Sequence, residues 1–143
     1  MDQDGLAEIL ATVRGFVRER VVPAEAEIEE TDAIPAGLRA EATRMGLFGF
    51  ALPERYGGLG LSMTEEARLV IELGYATPAF RSLFGTNNGI AGHVLLLGGT
   101  ERQRAGWLPR LASGQWIASF GLTEPEAGSD PSTIRTSELL QRG

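Results

Sequence analysis

The 143-residue sequence predicts a mainly α fold: a helical bundle followed by one strand and a loop that begin an incomplete β domain. Three observations carry this. Apolar residues recur at helical spacing through most of the first 113 positions. Helix-start signals stand at the heads of those segments. After Gly114 the period changes to two. The organisation expected is a helical unit over 1–113 and a first strand and loop over 114–143.

Leu6, Ile9, Leu10, Val13, Phe16 and Val17 form one apolar face of a first helix, with Glu8, Arg14, Arg18 and Glu19 between them. Pro23 interrupts this helix, and AEAEIEETD reads as a further exposed turn or two. The acidic run from Glu25 to Asp32 is most simply a solvated helix end. Pro35 suits a first helical position, and Gly46 suits the C-terminal cap of AGLRAEATRM. GLFGFALPERYGGLGLS is too irregular for a helix and too apolar for a disordered linker, so an ordered, packed loop is expected.

Ser62 and Glu65 form a capping box that opens a helix with Leu69, Val70 and Leu73 on its apolar side. Thr77-Pro78 is an N-cap followed by proline at the first helical position. The helix after it is apolar in its second half, which marks it as a central buried helix or as the wall of a ligand cavity. Thr100 and Gln103 are a second capping box, opening a helix through Trp107 and Leu111, with Pro109 as a site for a kink or early stop. In QWIASFGL, Trp116, Ala118, Phe120 and Leu122 alternate with Ile117, Ser119 and Gly121, the pattern of a strand. A lone strand is not stable, so this one calls for a partner.

Composition narrows the function classes. A net charge of −6 argues against nucleic acid as the main partner. No apolar run is long enough for a membrane span, and the acidic N-terminus lacks a signal-peptide layout, so a cytoplasmic protein is expected. With no Cys and one His, disulfides are excluded and a zinc site or Cys-His nucleophile is not expected. His93 reads as a packed residue or one bonded to backbone, not as a metal ligand. Trp107 and Trp116 read as core or interface residues. Asn87-Asn88-Gly89 either caps or bends a helix, or lines a cavity. Arg102 and Arg104 read as a solvated face, with a phosphate-bearing ligand as the alternative.

The stretch FGLTEPEAGSD, Phe120 to Asp130, concentrates turn chemistry after the strand. Gly128 permits backbone closed to other residues, Ser129 adds a hydroxyl, and successive N–H groups in such a turn can hold an anion. Taken as chemistry alone, the segment reads first as an ordinary connection, because such turns are common. LTEPEAGSD after an apolar strand, with IRT shortly beyond, resembles the signature of the acyl-CoA dehydrogenase family. ALPERYGGLGLSMTEEARLVIELG and GTERQRAGWLPRLASGQWIASFGLTEPEAGSD resemble two further family segments, so the likeness runs from about Leu6 to Thr136.

The resemblance implies a flavoenzyme with a helical N-terminal domain, a β-barrel middle domain and a C-terminal helical domain. Such an enzyme removes the α and β hydrogens of an acyl-CoA thioester. Hydride goes to FAD, a proton to a glutamate, and an electron-transferring flavoprotein reoxidises the flavin. By position, Leu122 and Thr123 would meet the flavin ring, and Gly128 and Ser129 the pyrophosphate. Phe120 would stand near flavin and thioester, Ser129 near CoA, and Thr86 near the end of the acyl tail.

No carboxylate here takes the role of catalytic base, which the family usually places in its C-terminal domain. The chain alone is therefore expected to be inactive, as part of a homo-oligomeric enzyme. Two other readings stand beside it. One is a non-enzymatic helical module that pairs its strand with a partner chain. The other is part of a related acyl-CoA oxidase or flavin monooxygenase.

Overall fold

The computed structural model describes residues 3–137, and it is mainly helical. Helix α1, Gln3–Phe16, buries Leu6, Leu10 and Val13, one residue per turn of a single face. The helix does not end at Pro23. It runs into a π-helical turn, Val17–Val21, then a 3-10 turn, Val22–Ala24, then α2, Glu25–Thr31. Pro23 lies at the head of the 3-10 turn, where its missing N–H costs little. Asp32 closes α2 in the left-handed region at φ 51°.

Helix α3, Ala36–Arg44, starts one residue later than expected, with Pro35 as N-cap. Gly46 lies just beyond it at φ 72°, the conformation that lets glycine end a helix. The loop from Met45 to Leu61 is ordered, and Leu47, Phe48, Phe50 and Leu52 in it are buried. Its two limbs are tied by Leu59 N–H to Gly49 O at 3.0 Å, Gly60 N–H to Leu52 O at 2.9 Å, and Leu61 N–H to Phe50 O at 3.0 Å.

Helix α4, Met63–Leu73, opens on the Ser62–Glu65 capping box and packs on α1. Arg14 on α1 forks onto Glu72 on α4, Nε to Oε2 at 3.1 Å and Nη2 to Oε1 at 2.6 Å. Those hydrogen bonds hold the buried Glu72 carboxyl below its ordinary range. Helix α5 is Pro78–Gly85. Phe80 and Phe84 on it meet edge to face at 5.1 Å, Phe80 touches Phe16 at 5.9 Å, and Phe84 touches Phe48 at 5.0 Å. These rings join α1, α5 and the glycine-rich loop into the larger core.

A second π-helical turn, Thr86–Ala91, leads into α6, Gly92–Gly98. Helix α7, Glu101–Ala112, opens on the Thr100–Gln103 box and runs past Pro109 without stopping. A smaller core gathers Leu52, Tyr56, Leu108, Leu111 and Ala112. Three expectations are corrected. The second half of the long apolar helix is not central: Val94 is 61% and Leu97 85% exposed, and Val94 and Leu95 border an open groove. Among the described residues no strand forms: residues 117–122 take no regular structure and have no neighbouring strand to complete a ladder. The acidic run is not all solvated end, since Glu25 accepts from the Thr77 N–H at 2.6 Å and anchors the start of α5.

Candidate functional site

An apolar groove of about 420 Å³ opens between α6, α7 and residues 116–120. Ile90, Val94 and Leu95 form one wall, Trp107 the second, and Ile117 and Phe120 the third. Sequence decides each wall. Ile90 and Val94 are one helical turn apart and so share a face. Trp107 projects from the middle of α7, one residue before the buried Leu108. Neither tryptophan sits in the core: Trp107 is 46% and Trp116 40% exposed, and both line the groove. Arg110 lies over the Trp116 ring at 4.5 Å and braces it.

Two adjacent buried asparagines hold the groove in shape. Asn87 and Asn88 in the π turn are 0% and 1% exposed. Asn87 Nδ2 donates to Leu111 O at 3.0 Å and to Trp116 O at 2.8 Å, and its Oδ1 accepts from Ala118 N–H at 2.8 Å. Asn88 Nδ2 donates to Leu47 O at 3.0 Å and Phe84 O at 3.1 Å, and its Oδ1 accepts from Ala51 N–H at 3.0 Å. Neither asparagine merely bends the helix or lines the cavity. The clue in the sequence is a pair of carboxamides inside an apolar helix, since buried amides must find partners. Gly92 is required beside them, because a Cβ there would lie 2.5 Å from Asn87 O.

His93 bonds to backbone, its Nδ1 3.0 Å from Asn88 O, which as a carbonyl only accepts. Arg104 is more than a solvated residue: it pairs with Glu101 at 3.4 Å and donates to Leu96 O at 3.1 Å, tying α7 to the end of α6.

Of the residues singled out in the sequence, Phe120 is brought to the groove, at its third wall and 56% exposed. Thr86 starts the π turn, half-buried and outside the groove lining. Leu122, Thr123, Gly128 and Ser129 are exposed on the loop beyond Phe120. Gly128 is not in the left-handed region, so the conformational freedom expected of it is unused. A Cβ at Gly128 would meet nothing within 4 Å.

The loop is organised instead by carboxylates. Glu124 and Ala127 exchange backbone bonds, Glu124 N–H to Ala127 O at 2.8 Å and Ala127 N–H to Glu124 O at 3.3 Å, around Pro125. The Glu124 side chain accepts from the N–H groups of Arg135 at 2.9 Å and Thr136 at 2.7 Å, and from the Thr136 hydroxyl. The Thr136 and Arg135 bonds hold its carboxyl below the ordinary range. Asp130 accepts from Ser132 N–H at 3.0 Å in the same manner. Among the described residues no group of three or more His, Cys, Asp or Glu could hold a metal ion, and no helix is long and apolar enough to cross a membrane.

A helical unit ending in a pinned LTEPEAGSD loop matches one class. The chain belongs to the acyl-CoA dehydrogenase family: the model for the acyl-CoA dehydrogenase N-terminal domain matches residues 3–115. Relatives include an acyl-CoA dehydrogenase of Bacillus subtilis (strain 168), 32% identical, aligned over 92% of this chain and 35% of that protein. The (2S)-methylsuccinyl-CoA dehydrogenase of Cereibacter sphaeroides is 39% identical over 92% of this chain and 25% of its own length. A solved glutaryl-CoA dehydrogenase from Mycobacterium smegmatis, in complex with FADH2, is 36% identical with a TM-score of 0.81, over 95% of this chain and 35% of that one. The chain thus spans about a third or less of these relatives.

Proposed function

We propose that the chain supplies the acyl-side wall, and part of the flavin-side wall, of an FAD-dependent acyl-CoA dehydrogenase acting on the α,β bond of acyl-CoA thioesters. The observation that carries this is the apolar groove of about 420 Å³ standing directly before the family's ligand loop. A groove lined by Ile90, Val94, Leu95 and Trp107 favours an alkyl chain over water.

The residues fit one side of a flavin nucleotide. Thr123 and Ser129 offer exposed hydroxyls, and among the described residues nothing lies within 4 Å of where a Cβ on Gly128 would stand. Leu122 and Thr123 would hold the ring, Gly128 and Ser129 the pyrophosphate, and Phe120 would stand between flavin and thioester. Bound flavin supplies a hydride acceptor. The groove residues orient the acyl chain and keep water from it. Thr86 would meet the far end of the acyl tail, and Ser129 would also touch CoA.

Glu124 is committed to backbone N–H groups and does not act as base. Proton abstraction falls to a residue of another part of the enzyme, so this chain alone is inactive. The reading takes an electron-transferring flavoprotein as electron acceptor and a homo-oligomer as the working assembly. The division into a helical unit at 1–113 and a β unit from 114 belongs to the same reading.

The test is FAD titration of the 143-residue chain by flavin fluorescence quenching, with oligomeric state read on the same sample. Saturable quenching that weakens in Ser129→Ala and Thr123→Ala supports the flavin wall. No quenching by a folded, helical sample refutes it for this chain and favours a helical module that pairs with a partner.

A further inference from the structure

We propose that Asn87 is a positioning residue: its carboxamide stands in for one peptide of a neighbouring parallel strand and sets the register of residues 116–122 against the groove. The functional consequence rests on the flavin-wall reading, whereas the register itself does not.

In a parallel ladder a residue donates its N–H to the carbonyl before its opposite number and accepts from the N–H after it. Asn87 does this around Ile117 with its side chain, donating to Trp116 O at 2.8 Å and accepting from Ala118 N–H at 2.8 Å. Its second N–H goes to Leu111 O at 3.0 Å, in the last turn of α7. One rigid amide thus fixes the distance from the end of α7 to the first residues of the period-two segment. That amide is fully buried, and both its donors and its acceptor are satisfied within the chain.

Register matters here because residues 116–120 all border the groove. A slip of one residue would set Ser119 or Gly121 where Phe120 now stands, and every loop residue after it would shift with it. The π turn is the element that brings two successive asparagines inward, Asn87 toward residues 111–118 and Asn88 toward residues 47–51. Asn88 is thereby a built-in control. It has equal depth and an equal number of bonds, but none to the period-two segment.

The experiment compares amide hydrogen exchange in the native chain and in Asn87→Asp. The carboxylate keeps the acceptor for Ala118 but faces the Trp116 and Leu111 carbonyls without a donor. Exchange at Ala118 is expected to rise about tenfold, because the donated bond that holds Trp116 O beside it is lost and the segment is released, while Ala51 keeps its native rate. Trp116 emission is expected to shift to the red. Equal acceleration at Ala118 and Ala51, or none at either, overturns the proposal by making Asn87 an ordinary core residue.

The unmutated chain gives an independent arm that needs no folded variant. A through-hydrogen-bond coupling between the Ala118 amide nitrogen and the Asn87 carboxamide carbon is expected, and its absence overturns the proposal. FAD titration separates the two levels. Native quenching that weakens about tenfold in Asn87→Asp supports the positioning role at the flavin wall. Native quenching unchanged in that variant overturns it. A native chain that binds no FAD but passes the exchange test loses the flavin reading and keeps the register device.

Discussion

Gly57 and Gly58 are neighbours in the loop before α4, and alanine at each should fail for a different reason. Gly57 has φ 84°, yet a Cβ there would meet nothing within 4 Å. Its cost is backbone strain alone, about 1–2 kcal/mol for an L-residue in the left-handed region. Gly58 has ordinary backbone, but its Cβ would lie 2.0 Å from Leu52 O and 2.5 Å from Gly49 O. Both obstacles are main-chain atoms and cannot swing aside. Each is also in use, Gly49 O by Leu59 N–H at 3.0 Å and Leu52 O by Gly60 N–H at 2.9 Å. Relieving the overlap means giving up two backbone hydrogen bonds, about 1 kcal/mol each. Overpacking adds about 1–3 kcal/mol. G58A should therefore cost about 3–5 kcal/mol, and G57A only the about 1–2 kcal/mol of its strain. Urea denaturation monitored by helical circular dichroism measures both. If G57A destabilises as much as G58A, the packing account of this loop is wrong.

Phe84→Ala removes a buried ring that touches Phe48 and Phe80 and should cost about 3–5 kcal/mol in the same assay. Glu72→Gln should flatten the acid limb of the stability profile. The Glu72 carboxyl is depressed by Arg14, so its contribution is complete above the unfolded value near about 4.3 and is lost as pH falls through the lower folded value. Thermal melts between neutral pH and about pH 3 test this, and an unchanged limb counts against the fork as a stabilising pair. Glu124→Gln should speed proteolytic cleavage around residues 131–137 with little change in Tm, because Glu124 holds Arg135 and Thr136 from an exposed loop. Uniform cleavage in both proteins would show that the clamp does not order the loop.

Local signals are legible in the sequence, and distant partnerships are not. Ser62–Glu65 and Thr100–Gln103 cap helices as expected, since each box completes itself within three residues, and Thr77-Pro78 stands at the head of α5 as expected, though the Thr77 side chain makes no capping bond. The π turns at Val17–Val21 and Thr86–Ala91 leave no such trace. The alternation in QWIASFGL is plain, but a ladder needs a second strand, and the nearest substitute is the Asn87 side chain. Glu25 and Glu124 look like ordinary surface charge because Thr77 and Thr136 lie 52 and 12 residues away. For the site, resemblance picks out Phe120, and the structure adds its groove. Trp107, Val94 and Asn87 join it only through the packing of α6 against α7.

The π turn at Thr86–Ala91 offers such grooves a route to diversify. A stretch of helix with wider bonding carries about one residue more than an α-helix of that length needs. Gly89 within it is exposed, and a Cβ there would meet nothing within 4 Å, so it can be lost without opening a hole. Its loss would restore the regular count while the residues after the turn keep their face, because the wide turn is what takes up the extra residue. Val94 and Leu95 would stay on the groove, and Asn87 and Asn88 would lose the spacing that brings both inward. One codon dropped here would change how the groove is held from behind without moving that wall, whereas point substitutions trim the wall one side chain at a time. Residue numbers counted from opposite ends of this helix accordingly fall out of phase between relatives that differ in the turn.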